Sequence, residues 1–373
     1  AVLDAIDRFY EQSNANVHRG TYLIAEEATA ALEGARAKVA RFIGAGSDRE
    51  VIFAKNATEA LNLVAKAWGR ANLRTGDPVV ITELEHHANI VPWHQLVDEV
   101  GIELRWIPVG ADGHLDLTDL DRLVDGARVV SFAAMSNVLG TLTPVERLVR
   151  AAHDAGAIAV VDASQYVPHV ATDVCAWGAD FAAFTGHKMC GPTGIGVLWG
   201  TEAILDDTPP FLTGGEMILN VTKEGFTPNE LPWKFEAGTP PIAEAVGLGA
   251  AVDYLNGLGM AAVREHEVAL TAYALRSLTD RFGAELTIYG PSEPAERGGV
   301  LSFSYGDLHP HDLTQVFDEH GVCVRAGHHC AKPLMRELGV AATARASLYV
   351  YNDEADVDAL ADAIDSAADF FGT

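Results

Sequence analysis

The chain has 373 residues, 26 of them Lys or Arg and 52 Asp or Glu, which gives a formal net charge of −26 with histidine neutral. That balance excludes a general nucleic-acid binder, which needs a basic face for phosphates, and a hydrophobic share of 49% excludes a disordered chain. No apolar run reaches the ~18 residues of a membrane span, and the first ten residues, with Asp4, Asp7 and Arg8 on an amphipathic pattern, do not read as a signal peptide.

The length suggests roughly two domains. An amphipathic helix opens the chain over residues 1–12. The strand V-I-F-A leads into a helical pattern over 57–68. Apolar, β-branched runs at Pro78–Thr82, 127–132 and 157–161 read as buried strands, with a helix over 144–155. Two closely spaced strands follow at Phe181–Thr185 and 194–199. This alternation predicts an α/β fold with a mainly parallel sheet covered by helices on both faces. Residues 209–241 are rich in Gly, Pro, Thr and Asn and lack helical periodicity.

Beyond them come helices at Ile242–Leu258 and Met260–Phe282, and strands at Leu286–Tyr289 and Val300–Tyr305. A helix after Pro310, strands at 322–325 and 347–351, and a last helix from Glu354 complete the chain. The pattern predicts a large domain over 1–258 and a smaller α+β domain over 259–373. The first helix belongs to the large unit by sequence and is expected to pack on the small one.

The four cysteines, Cys175, Cys190, Cys323 and Cys330, form no Cys-x-x-Cys pair and are too few for a disulfide scaffold. A reducing, cytoplasmic setting is expected. The ordinary reading of each is a small buried hydrophobe, and only Cys330 escapes it below.

Lys188 is the sole lysine between Lys66 and Lys223 and lies in T-G-H-K-M-C-G-P-T-G-I-G. A lone loop lysine is usually a surface residue. Here Gly186, Gly191, Gly194 and Gly196 let the backbone approach a ligand. Asp162 ends the buried run A-I-A-V-V-D, at the strand edge where parallel α/β sheets bind ligands. An acid at a strand end and a following lysine are what pyridoxal phosphate requires: an amine for the aldehyde and a carboxylate for the pyridine nitrogen. His86, in E-H-H-A-N just past a strand, is placed to lie over such a ring. The residues around Thr58 open a helix whose free N–H groups suit a phosphate, although Thr58 is equally a plain N-cap.

The motifs K-N-A-T-E-A-L-N, E-H-H-A-N-I-V-P-W, S-N-V-L-G, V-D-A-S-Q, G-H-K-M-C-G-P-T-G-I-G, F-E-A-G-T-P, R-A-G-H-H-C-A-K-P and A-T-A-R-A-S occur in that order. Together they resemble a type II cysteine desulfurase of the SufS kind, in the class V aminotransferase group of fold-type I PLP enzymes, over essentially the whole chain. The resemblance implies Lys188 as the Schiff-base lysine, Asp162 on the pyridine nitrogen, Gln165 on the phenolic oxygen and His86 stacked on the ring. It implies Thr58, Thr185 and His187 on the phosphate, joined by Thr239 from a second subunit. Asn137 and Arg345 are implied to bind the substrate carboxylate, with His18 and Arg19 at the pocket mouth. Cys330 is the implied nucleophile, beside Arg325.

A free thiol titrates near ~8.5, so activation of Cys330 is expected from Arg325, His328 and His329. The compact Cys330 loop and the 212–235 insertion, similar to a β-hook, imply a homodimer that hands sulfur to a carrier of SufE or SufU type. His311, in D-L-H-P-H-D, is the candidate contact for a zinc-bearing carrier, with Asp312 expected as the N-cap there. No metal site is expected. The family opens with a segment of the Y-L-D-x-A-x-T type that lines the pocket, and this sequence starts at the helix after it. The implied reaction is L-cysteine to L-alanine. Selenocysteine lyase and cysteine sulfinate desulfinase share the motifs, and a non-desulfurase PLP aminotransferase or a silent carrier-binding subunit is a more distant alternative.

Overall fold

Seven short strands form the central sheet of the computed structural model, which describes residues 1–372. They are β1 (Val51–Ala54), β2 (Pro78–Thr82), β3 (Glu103–Ile107), β4 (Val129–Ala133), β5 (Ile158–Asp162), β6 (Phe181–Thr185) and β7 (Gly196–Gly200), in the order β1-β7-β6-β5-β4-β2-β3. β7 runs antiparallel to both of its neighbours, β1 and β6, and the remaining pairs are parallel. Every residue of β1, β4, β6 and β7 is buried, as unbroken apolar runs require of a sheet covered on both faces. The helix Val145–Asp154 shows why the cover holds: it buries Val145, Leu148, Val149 and Ala152, one stripe at helical spacing. The edge strand β3, E-L-R-W-I, escapes the sequence reading because Glu103 and Arg105 interrupt its apolar pattern. An edge strand tolerates such charge.

Residues 209–241 carry a two-stranded hairpin, β8 (Ile218–Val221) with β9 (Phe226–Pro228). Leu219, Val221 and Phe226 are exposed on it. The small domain is a four-stranded antiparallel sheet of β10 (Leu286–Tyr289), β11 (Val300–Tyr305), β12 (Arg325–Gly327) and β13 (Thr343–Ser347), in the order β10-β11-β13-β12. Two of these differ from expectation. The Val322 amide bonds back to Phe317, so 322–324 end the preceding helix turn and pairing starts at Arg325. The last strand is T-A-R-A-S rather than 347–351, because β11 pairs with Ala344 to Ser347.

The first helix, Val2–Arg8, continues into a wider π-turn over Phe9–Ser13. It packs on Ile242–Leu258 of the large domain, not on the small domain. Ile6 fills the space over Gly247, where a Cβ would come within 2.8 Å of Ile6 Cδ1. The expectation of uniformly buried cysteines also fails: Cys175 and Cys323 are exposed and Cys190 is half-buried.

One buried ion pair ties the helix Leu23–Phe42 to the sheet. Arg36, 1% exposed, donates to both Glu236 oxygens at 2.6 and 2.9 Å, and Glu236 also accepts the Phe53 amide at 2.7 Å. Arg36→Met removes the cation and strands Glu236 in the interior. Denaturant unfolding should show a loss of about 3–5 kcal/mol. A loss no larger than that of an exposed pair, below ~1 kcal/mol, would mean the pair does not carry this junction.

Candidate active site

The C-terminal ends of β2, β4, β5 and β6 open onto one cavity of about 260 Å³, closed from the other side by the small domain. Its wall includes Asn56, Ala57 and Thr58 at a helix start, His86 after β2, Asn137 after β4, and Asp162 and Gln165 at the end of β5. Thr185, His187 and Lys188 follow β6, and Arg325 and Arg345 face them from β12 and β13. Most of the sequence-predicted residues therefore converge, and Cys330 adjoins them through Arg325.

Asp162 is the last residue of β5 and is buried. Its Oδ1 accepts the Ser164 amide at 3.0 Å. Among the described residues its other oxygen has no hydrogen-bond partner. Lys188 ends a single 3₁₀ turn after β6. Burial lowers its pKa below the ordinary lysine range; Arg345 and Arg325 add to this while Asp162 opposes it. An amine so placed is a better nucleophile at neutral pH. Glycines make the turn possible. A Cβ on Gly191 would lie 2.8 Å from the Gly186 carbonyl, and one on Gly196 would lie 2.5 Å from Asn56. Gly196 thus lets β7 abut the helix that begins at Ala57. Thr58 of that first turn then shares the cavity wall with Thr185, whose hydroxyl pairs with His187 Nδ1 at 2.9 Å.

His86 caps its own turn: Nδ1 accepts the Ala88 amide at 3.0 Å. Burial pushes its pKa down to about 4, Asp162 opposing and Lys188 adding. The ring is neutral near pH 7 and carries its proton on Nε2. Beneath it lies Glu85, fully buried, which accepts from Thr82 Oγ1 at 2.6 Å, Asn89 Nδ2 at 2.7 Å and the Ala133 amide at 2.9 Å. Trp93 Nε1 and Ser131 Oγ both donate to Asn89 Oδ1, which fixes that amide's orientation. Glu85 thus joins the ends of β2 and β4. The sequence reading passed over it, although a glutamate between a buried strand and two histidines was a visible signal.

On the small-domain side, Arg345 Nη1 donates to the Asn137 carbonyl at 2.8 Å. Its Nε is buried without a partner and its Nη2 makes no hydrogen bond among the described residues, so the Nη2 side of the guanidinium is left open to a carboxylate. One amide hydrogen of Asn137 is committed to the His329 carbonyl at 2.7 Å. Arg325 Nη2 donates to Cys330 Sγ at 3.4 Å. Of the three residues expected to activate the thiol, His329 does not touch it. His329 is buried, and its Nε2 lies on the Thr343 carbonyl and hydroxyl. His328 Nδ1 accepts the Cys330 amide instead.

Other expectations land elsewhere. His18 and Arg19 are not on the cavity wall. His18 is held between Glu33 (2.8 Å) and Glu216 (3.1 Å), and Arg19 pairs with Glu216 at 2.8 Å at the base of the hairpin. Two carboxylates outbid the pocket, and short-range sequence could not show them. Thr239 is likewise absent from the wall of its own chain's cavity. His311 is exposed in the first turn of Pro310–Glu319, its ring stacked on His309. The N-cap there is His309, which accepts the His311 amide at 3.2 Å, not Asp312.

The family model of aminotransferase class-V matches residues 1–360. A probable cysteine desulfurase of Streptomyces coelicolor is 54% identical over the whole chain and 90% of its own length. A cysteine desulfurase of Haloferax volcanii is 50% identical over 99% of the chain and 87% of its own length. The solved cysteine desulfurase of Thermococcus onnurineus NA1 superposes with a TM-score of 0.95 at 40% identity, over 99% of this chain and 91% of that one.

Glu85 gives the site a pH signature. Burial, with the nearby Asp162 adding, overcomes its three donors and raises its pKa to about 8 from 4.5. The folded protein then holds more protons than the unfolded chain between those limits, so stability falls as pH rises from 4.5 to 8. In cofactor-free protein, Glu85→Gln should flatten this fall by up to about 1.4 kcal/mol per pH unit. Superimposable stability–pH curves for the two proteins would contradict it.

Proposed function

The chain belongs to the cysteine desulfurases of the class-V aminotransferase family, and from that premise we propose that it converts L-cysteine to L-alanine and leaves the sulfur as a persulfide on Cys330. The observation that carries the reading is the meeting of Lys188, Asp162 and Arg345 in one cavity that Cys330 adjoins through Arg325.

Pyridoxal 5′-phosphate fits the donor set. Asp162 offers the cavity a carboxyl oxygen without an intrachain partner for a ring N–H. His86 offers a neutral ring for stacking, and Gln165 a hydrogen bond to the ring's oxygen. The helix start at Thr58, with Thr185 and His187, offers donors to a phosphate, and Lys188 offers the amine for covalent attachment. When bound, the cofactor supplies a sink for the electron pair left on the substrate Cα.

The protein's own residues supply the rest. The open edge of Arg345 takes the substrate carboxylate and orients the molecule. Lys188 takes the proton from Cα. The Cys330 thiolate attacks the substrate sulfur; a sulfur–sulfur bond forms, and the carbon–sulfur pair stays with carbon and ends, protonated, as the alanine methyl. One cysteine and one enzyme thiol thus become one alanine and one enzyme persulfide.

Three further features support an assembly around this chemistry. The exposed Leu219, Val221 and Phe226 of the hairpin ask for cover, which a second copy supplies in a homodimer, and Thr239 is then free to serve the partner's phosphate. The short Cys330 loop calls for a carrier of SufE or SufU type, for Fe–S cluster assembly, and the exposed His311 suits a zinc-bearing one. Four unpaired cysteines suit the reducing cytoplasm.

Cys330→Ser tests the reading. The variant should bind cofactor and cysteine as before, yet form alanine about a hundredfold more slowly or worse, because the thiolate and not a hydroxyl is the sulfur acceptor. Alanine formation at the unaltered rate would mean that this thiol is not the sulfur acceptor.

A further inference from the structure

We propose that His87 is a positioning residue that docks the Cys330 loop onto the turn carrying His86, an inference that rests on Cys330 as the sulfur acceptor. The loop leaves β12 at Gly327, and the next residues but one, His329 and Cys330, have φ of 50° and 58°. Successive non-glycine residues in the left-handed region are rare, and they persist only where the surroundings over-determine them.

The His329 ring is held on Thr343 and the Cys330 thiol on Arg325, and a few further contacts fix the loop. Within the loop, the Cys330 amide donates to His328 Nδ1 at 3.1 Å and the Ala331 amide to the His328 carbonyl at 2.8 Å. From the large domain, Asn137 reaches the His329 carbonyl. His87 makes two contacts, at the carbonyl of the nucleophile and at the amide two residues beyond it. Its backbone N–H donates to the Cys330 carbonyl at 2.7 Å, and its ring Nε2 accepts the Lys332 amide at 3.1 Å.

The donor in the second bond is an amide, so Nε2 must be bare. Burial lowers the pKa of His87, with His328 and Lys332 adding, and this keeps that nitrogen an acceptor. His328 lies alongside, ring centroids 5.6 Å apart. The ring bond lies near solvent, so its effect falls on loop geometry more than on fold stability.

The placement has a consequence for catalysis. His86 and His87 are adjacent on a 3₁₀ turn that Asn89 anchors to the buried Glu85. The first histidine faces the cofactor site and the second holds the nucleophile, so one rigid turn sets the distance between ring and sulfur. A displacement of ~1 Å at such a pair is enough to cost a large factor in rate.

The test compares His87→Ala with His87→Gln, whose side-chain oxygen can replace Nε2 as acceptor. The first readout is the iodoacetamide alkylation rate of Cys330, resolved by peptide mapping on the full chain with and without bound pyridoxal phosphate. The exposed Cys175 and Cys323 serve as internal controls for general unfolding. The second readout is cysteine desulfuration. In the alanine variant Cys330 should alkylate several-fold faster at unchanged Cys175 and Cys323 rates, and kcat should fall about tenfold with little change in KM. The glutamine variant should recover most of both. Wild-type alkylation and kcat in the alanine variant, or a glutamine variant as impaired as the alanine one, would overturn the proposal. The alkylation arm needs no turnover, so it stands even if the protein failed to desulfurate cysteine.

Discussion

Asp162 is a buried carboxyl at the end of β5 with one oxygen left unpaired among the described residues. Taking a carboxylate out of water costs several kcal/mol unless a charge or donor meets it. The Lys188 amine stands nearby, itself penalised by burial. Two incompletely satisfied groups of opposite sign at one sheet edge are a poor solution for a fold and a good one for a ligand that completes both. A protonated pyridine nitrogen and an aldehyde do so, and much of the surrounding architecture serves to keep these two groups apart, dry and aimed at the same space.

That service is local and physical. Gly196 removes the atom that would push β7 off the helix starting at Ala57, so donors for an anion gather beside β6. Glu85 fastens the ends of β2 and β4 from below. The small domain contributes only at the face where it meets these strand ends. Arg345 on the Asn137 carbonyl, Ser302 on the Val138 carbonyl and His87 on the Cys330 carbonyl are all inter-domain bonds. The substrate's carboxylate fork and the sulfur acceptor are therefore both fixed against the cofactor site across this junction.

The sequence shows the large-domain strands where burial is two-sided, because β4, β5 and β6 are almost wholly apolar, while the helix Leu23–Phe42 goes unnamed there. It does not show β3, where an edge strand carries Glu103 and Arg105. It misplaces β12 and β13, whose limits are set by pairing, β13 with β11 and β12 with β13, rather than by β-branched content. Most of the cavity was legible because its residues follow strand ends directly: Asp162 after V-V, His86 after Pro78–Thr82, Lys188 after Phe181–Thr185. What stayed hidden depends on partners far along the chain. The His87 ring meets an amide 245 residues away, and His18 finds Glu216 at a separation of 198. Glu85 carries a local signal, its place between a buried strand and two histidines, but its bond to the Ala133 amide shows only in the fold.

The central claim is that Lys188 and Asp162 hold pyridoxal phosphate at this strand edge. Borohydride reduction of the cofactor-loaded protein, followed by peptide mapping, tests it most directly, because reduction makes the covalent link permanent at whichever amine bears it. The account predicts a single pyridoxyl group, on the peptide containing Lys188, and none in the Lys188→Ala protein. A pyridoxyl group on any other of the chain's lysines, or its persistence in that variant, would contradict the account.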